Sequence, residues 1–61
     1  MNDRYFATAT RYATMEFGLI TGQKYIVESS QKHCGTVDVY DLDGNFIKTA
    51  QSDDFTDYQP I

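Results

Sequence analysis

Three groups of residues in this chain could do chemistry: its aspartates, one His-Cys pair, and its five Tyr and four Phe rings. The aspartates that could serve as acids or bases are Asp38, Asp41, Asp53, Asp54 and Asp57. Acid–base catalysis needs a desolvated pocket that separates the pKa values of such groups. A fold of 61 residues fills its interior with its own side chains and leaves no cavity of the usual ~300 Å³ or more. We therefore expect a protein that is not an enzyme.

The Asp-Leu-Asp-Gly segment that ends at Gly44 invites a calcium interpretation. An EF-hand loop with Gly44 at its sixth position would place Val39 at the first ligand position and Ala50 at the twelfth, where a bidentate carboxylate belongs. Both ends of the loop are apolar. The segment is better interpreted as a hairpin turn.

The pair His33-Cys34 contains the only histidine and the only cysteine of the chain. Adjacent residues on an extended chain point to opposite sides, and a catalytic pair also needs a third group to orient it. Zinc needs about four ligands at suitable spacing. The sequence predicts an exposed loop pair here, and neither a metal nor a cofactor.

The single cysteine also bears on the cellular compartment. It excludes an internal disulfide and fits a reducing cytosol better than secretion. No apolar stretch approaches the roughly 20 residues needed to span a membrane, and the N-terminal Met-Asn-Asp-Arg-Tyr-Phe lacks the apolar run of a signal peptide. We expect a cytoplasmic protein with no membrane partner.

Charge is distributed unevenly along the chain, which has a net charge of −4. Residues 1–37 carry four basic and three acidic side chains, a balance of +1, whereas residues 38–61 carry six Asp against Lys48, a balance of −5. Nucleic-acid binders show the opposite sign on their contact surface, because counterion release from phosphate supplies most of their affinity. Direct binding of nucleic acid is therefore disfavoured.

The elements that must position these residues are strands. Alternating runs flank Asp43-Gly44, and an Asp-Gly step between such runs is a strong hairpin signal. The pattern predicts one domain over residues 1–61, and Ser52-Asp-Asp is a natural start for one helical turn. The predicted elements are a strand at 4–12, a long loop at 13–23, strands at 24–29, 36–42 and 45–50, a helical turn within 51–55, and a strand at 56–59.

Period-two alternation assigns a face to each strand residue. In the first strand we expect Ala7 and Ala9 to face inward and the threonines between them outward. The same alternation places Ile26, Asp38 and Tyr40 on the more exposed face. The other side chains predicted to form the core are Tyr25, Val27, Val37, Val39, Ile47 and Phe55.

This order of elements resembles the SH3-like small barrel over residues 5–60. Leu19-Ile-Thr-Gly-Gln-Lys-Tyr-Ile-Val27 looks like the family's entry into its second strand, Asp41-Leu-Asp-Gly-Asn45 matches its distal hairpin, and Ser52-Asp-Asp-Phe55 lies where the family has a 3₁₀ turn. The resemblance implies an all-β, five-stranded antiparallel SH3-like barrel. The chain is also similar to short acidic SH3-like proteins encoded by bacteriophages.

The chain departs from the signalling SH3 domains at the residues that bind polyproline. It has no Trp, no Pro in the 3₁₀ turn, and Ala-Thr-Ala-Thr-Arg-Tyr where those domains have Ala-Leu-Tyr-Asp-Tyr. Polyproline recognition needs an aromatic-lined groove. The resemblance therefore implies the fold and not that class of ligand.

The exposed aromatic rings allow two interpretations. The rings expected to face outward or to lie in loops are Tyr12, Phe17, Tyr40, Phe46 and Tyr58. Aromatic pairs across strands commonly stabilise an exposed sheet face. Alternatively, exposed rings among acidic residues form a protein-binding patch, since Tyr is enriched at interface hot spots and surrounding charge steers a basic partner.

The function expected from these observations is that of a non-enzymatic protein-binding module. It would be a phage-encoded protein that modulates a host or phage protein with a basic surface in the cytoplasm of the infected bacterium. One alternative is a DNA-mimicking inhibitor, and another is a minor structural or assembly protein that forms a weak homodimer through an open sheet edge. The expected binding residues are Tyr40, Asp41, Phe46, Asp53 and Asp54.

Overall fold

The computed structural model of the protein describes residues 4–29 and 35–61. All five strands of the described chain belong to one antiparallel sheet with the order β4-β3-β2-β1-β5. The all-β fold with a 3₁₀ turn before the last strand is thus confirmed. The elements in chain order are β1 (Arg4–Ala9), α1 (Arg11–Phe17), β2 (Lys24–Ser29), β3 (Thr36–Tyr40), β4 (Phe46–Gln51), the 3₁₀ turn (Ser52–Asp54) and β5 (Phe55–Pro60).

The sheet is open, so the expected closed barrel is not confirmed. Closure would require β4 to pair with β5, and within residues 4–29 and 35–61 no pairing joins these two strands. Both are therefore edge strands of the sheet. The strand order itself is compatible with an SH3-like fold.

The segment after β1 is a helix, and the prediction of a strand to residue 12 followed by a long loop was wrong. Thr10 precedes the first helical residue, and Gly18 caps the end of α1, with a φ of +72° and an N–H that donates to the carbonyl of Thr14 over 3.0 Å. This is a common C-terminal helix cap, for which glycine is favoured because a side chain is strained at positive φ. Ala13 is completely buried and anchors the helix to the core.

The core lies on one face of the sheet and beneath α1. Ala7 and Ala9 are buried as predicted, and so are five of the other six side chains expected there: Tyr25, Val27, Val37, Val39 and Phe55. Ile47 is only partly buried, contrary to prediction. The cause is a bulge, since Val39 pairs with Lys48 and Tyr40 with Phe46, which leaves Ile47 as an extra residue.

The predicted hairpin between β3 and β4 is confirmed. The turn runs from Asp41 to Gly44 and is closed by the Gly44 N–H, which donates to the Asp41 carbonyl over 3.0 Å. Gly44 has a φ of +91°. The next residue, Asn45, accepts a hydrogen bond from the Asp41 N–H at 2.9 Å and so restores the ladder.

Strand β5 is irregular at its centre. Phe6 pairs with Gln59 and Thr8 with Thr56, so Asp57 and Tyr58 together face the single residue Ala7. Asp57 has a φ of +55°, the only described non-glycine residue with a positive φ. A bulge of this kind twists an edge strand away from further pairing.

Candidate protein-binding surface

The outer face of the sheet carries a continuous row of apolar side chains across four strands. Phe6 on β1 pairs with Ile26 on β2, Ile26 with Tyr40 on β3, and Tyr40 with Phe46 on β4. We call these four residues the apolar row. The Tyr40 and Phe46 rings meet edge to face with their centroids 5.6 Å apart, and 58% of Phe46 is exposed. Both interpretations of the rings therefore apply to the same pair. The contact between the two rings stabilises the hairpin, and Phe46 remains exposed to solvent.

A second row of polar side chains runs beside the apolar row. The Arg4 Nε donates to a Glu28 carboxylate oxygen over 3.4 Å, and the Arg4 guanidinium lies 5.4 Å from the centre of the Tyr40 ring. On β3 and β4, Asp38 instead accepts a hydrogen bond of 3.0 Å from the Thr49 hydroxyl. The charge of Glu28 is therefore balanced by a cation, whereas that of Asp38 is paired with a neutral hydroxyl.

Asp41 organises the turn next to Tyr40. Its Oδ1 accepts hydrogen bonds from the N–H groups of Asn45 at 2.9 Å and Asp43 at 3.0 Å, and its Oδ2 accepts one from the Asn45 side chain at 3.3 Å. The bond from the Asn45 backbone is the largest cause that lowers the pKa of the Asp41 carboxyl below its ordinary value, and the Asn45 amide and the Asp43 N–H add to it. Asp41 therefore stays negatively charged at the end of the hairpin.

Asp53 and Asp54 lie at the opposite end of β4 from Phe46. Strand β4 is six residues long, which corresponds to about 20 Å at 3.3 Å per residue. Asp53 is exposed, whereas Asp54 is only 6% exposed and its carbonyl accepts hydrogen bonds from the Thr10 N–H and hydroxyl at 3.0 and 2.9 Å. The buried Asp54 Oδ2 has no hydrogen-bond partner among the described residues. Asp54 thus ties the 3₁₀ turn to the start of α1.

Tyr58 lies close to these two aspartates. Its hydroxyl donates to the Ser52 carbonyl over 2.6 Å, and its ring meets Tyr5 edge to face. Burial raises the pKa of the Tyr58 hydroxyl, and the negative charges of Asp53 and Asp54 raise it further. Tyr58 is therefore held as a neutral hydrogen-bond donor rather than projecting freely from the sheet.

The five residues expected to bind a partner thus form two groups. Tyr40, Asp41 and Phe46 come together at the β3–β4 hairpin, and Asp53 and Asp54 lie in the 3₁₀ turn. Sequence reasoning missed Phe6 and Ile26 as neighbours of Tyr40. A signal for Phe6 existed, because a strand that turns Ala7 inward turns Phe6 outward. The alignment of the row depends on strand register, which the sequence does not reveal.

The two remaining rings of the sequence analysis have separate positions. Tyr12 is exposed on α1, with the guanidinium of its neighbour Arg11 5.3 Å from the ring centre. Phe17 packs against the core, and the Lys48 ammonium lies 5.1 Å from the centre of its ring. Neither ring joins the apolar row.

Across residues 4–29 and 35–61, no three His, Cys, Asp or Glu side chains are grouped as ligands of one ion. No helix in the same ranges is long and apolar enough to cross a bilayer. The pair His33-Cys34 lies outside the described residues.

Comparisons with known proteins leave the site to be judged on its own geometry. No model of a known protein family matches the chain, and searches of curated proteins and of solved structures gave no significant match.

Proposed function

We propose that this protein is a non-enzymatic binding module of SH3-like fold that recognises a protein with a basic surface. The observation that carries the proposal is the pair of the half-buried Tyr40 and the exposed Phe46 beside the carboxylates of Asp38 and Asp41. Aromatic rings that leave water on binding supply much of the affinity of protein interfaces. Carboxylates around them attract a basic partner and exclude an acidic one.

The two groups of residues have different roles in this proposal. Tyr40 and Phe46 are the anchors, and Asp41 provides a fixed charge at their side. Asp53, about 20 Å away along β4, contributes to attraction at a distance, whereas the buried Asp54 acts by holding the 3₁₀ turn in place. The resemblance to short acidic SH3-like phage proteins supports an infected bacterium as the setting and a host or phage protein as the target.

The proposal can be tested by capture from a bacterial lysate followed by kinetics. Partners captured by the immobilised unaltered protein are identified by mass spectrometry, and their binding to the Phe46→Ala variant is then measured. Surface plasmon resonance should then show at least tenfold faster dissociation for Phe46→Ala, because an anchor has been removed. Asp38→Asn combined with Asp41→Asn should instead slow association and reduce its salt dependence.

A matched control is Tyr12→Ala, which removes an exposed ring on α1 outside the apolar row. It should leave both rates unchanged. If Phe46→Ala and the double Asn variant both bind with unaltered kinetics, the interface lies elsewhere and the proposal is wrong. Two results together would favour the DNA-mimic alternative. Excess duplex DNA would displace the partner, and substitution of each carboxylate would weaken binding by a similar amount.

A further inference from the structure

The two edges of the sheet differ in how open they are to a further strand. Strand β5 carries the Asp57 bulge and ends at Pro60, which lacks an N–H group. Bulges and prolines are common means of preventing strand addition at a sheet edge. Strand β4 has no proline, and its bulge at Ile47 leaves a regular run from Lys48 to Gln51. The edge that remains able to accept a strand is therefore β4.

The register shows which backbone groups point away from the sheet. Backbone hydrogen bonds join Asp41 to Asn45 and Gly35 to Ser52 at the two ends of the β3–β4 ladder. In an antiparallel ladder, hydrogen-bonded pairs alternate with pairs whose N–H and C=O groups point outward. By this alternation the outward groups belong to Phe46, Thr49 and Gln51, which we call the β4 edge. Between these ends, no backbone hydrogen bond outside the regular ladders involves these three residues in the described chain.

We propose that the β4 edge binds an extended, basic segment of a partner protein as a sixth antiparallel or parallel strand. This inference rests on the proposed function and specifies its mode of binding. A sixth strand would extend the two rows on the outer face of the sheet. It would place one side chain beside Phe46, at the end of the apolar row, and another beside Thr49, next to Asp38.

Charge determines which strand fits this edge. Asp38, Asp41 and Asp43 lie on β3 and in the turn, and Lys48 is the one basic residue of β4, with its ammonium held near Phe17. A second copy would bring a further net charge of −4 to the same edge, which opposes pairing of two β4 strands. A segment with lysine or arginine at every second position would instead meet complementary charge. A long basic side chain of the sixth strand can extend over β4 towards Asp38 on β3, across two strand spacings of about 4.8 Å each.

The probe for this test is a nine-residue peptide of alternating lysine and valine. The readout is the exchange of individual backbone amide hydrogens of the protein, followed by NMR at pH 7. Saturating peptide should slow exchange at Phe46, Thr49 and Gln51 at least tenfold and leave the amides of β5 unchanged. A peptide with glutamate in place of every lysine should give no protection, and equal protection by both peptides would overturn the choice of a basic segment.

Two variants distinguish binding through the backbone of the β4 edge from binding through the side chains around it. Thr49→Pro removes an outward N–H without removing a bond to β3 and should weaken peptide binding at least tenfold. Thr49→Ala keeps the N–H, loses only the hydroxyl, and should bind within about threefold of the unaltered protein. If Thr49→Pro does not fold, N-methylation of the three central peptide amides tests the same hydrogen bonds, and unchanged protection by that peptide would overturn the inference.

The remaining outcomes distinguish this inference from the proposed function. Lysine peptide binding that depends on Phe46 and Asp38, without protection at the β4 edge, would overturn strand addition and leave the proposed function intact. A lysate partner that binds Phe46→Ala with unaltered kinetics would contradict the proposed function, whereas the peptide result would still stand. Protection of the edge that rises with protein concentration alone, with a dimer in sedimentation at pH 7, would identify the occupant as a second copy and overturn the inference.

Discussion

At the scale of single residues, Asp57 carries the most unusual backbone conformation in the described chain. Its φ of +55° is in the left-handed region, where side chains without branching at Cβ, and Asn and Asp in particular, are tolerated best. Two residues of β5 lie opposite the single residue Ala7, and this bulge imposes the conformation of Asp57. Sequence reasoning missed this bulge because aspartate also fits an ordinary exposed strand position.

Asp57→Val should lower the free energy of unfolding by about 1–3 kcal/mol, because a β-branched side chain is strained at positive φ. The free energy of unfolding of Asp57→Gly should exceed that of Asp57→Val by about the same amount, since glycine adopts this conformation without strain. Equilibrium unfolding in urea measures both changes. The control is Thr56→Val, at the neighbouring exposed position that pairs regularly with Thr8. Equal stability of Asp57→Val and Thr56→Val would show that no left-handed residue is needed there.

At the scale of elements, the strands were predictable and the helix was not. Val37 and Val39 alternate with Asp38, and their burial on one face follows directly from the period of a strand. The helix α1 has seven residues, of which Ala13 is buried and Phe17 packs against the core, so it offers a single apolar pair at helical spacing and no longer repeat. Gly18 was the available signal, because glycine directly after the last helical residue is typical of a helix end. The apolar row could not be predicted from the sequence either, since its alignment depends on the register between strands.

Ala13 provides a test of how α1 packs on the sheet. It is completely buried, whereas Met15 on the same helix is 78% exposed. Ala13→Leu should lower the free energy of unfolding by about 1–3 kcal/mol, because the larger side chain has no space between the helix and the core. Met15→Leu adds a similar side chain at the exposed position and should change stability by less than about 0.5 kcal/mol. Thermal unfolding followed by circular dichroism compares the two, and equal effects would mean that residues 11–17 do not pack as described.

At the scale of the whole molecule, an open sheet still makes a compact protein. The radius of gyration is 10.2 Å, close to the roughly 10.5 Å expected of a folded chain of this length. Part of this compactness comes from α1, which packs against β1 and the 3₁₀ turn, with Ala13 and Asp54 buried. The period-two pattern predicted which residues lie inside but not whether the sheet closes, since closure depends on strand twist and shear rather than on side-chain alternation.

The interior of this molecule is small, and its stability depends on few side chains. Val27 and Val39 are its largest fully buried side chains. A domain of this size rarely gains more than about 3–5 kcal/mol from its core. Val39→Ala should therefore remove a large part of the total, about 1–3 kcal/mol, through lost burial and a small cavity.

The neighbouring Asp38 is the matched control for this prediction, because it lies on the opposite face of β3. Asp38→Ala removes one hydrogen bond to the exposed Thr49 hydroxyl and should cost less than about 1.5 kcal/mol. Urea unfolding of both variants, followed by tyrosine fluorescence, gives the two free energies on the same scale. A slip of one residue would exchange the two faces of the strand. If Asp38→Ala is then the more costly change, the outer face described above is the inner one, and Tyr40 and Phe46 are core residues rather than anchors for a partner.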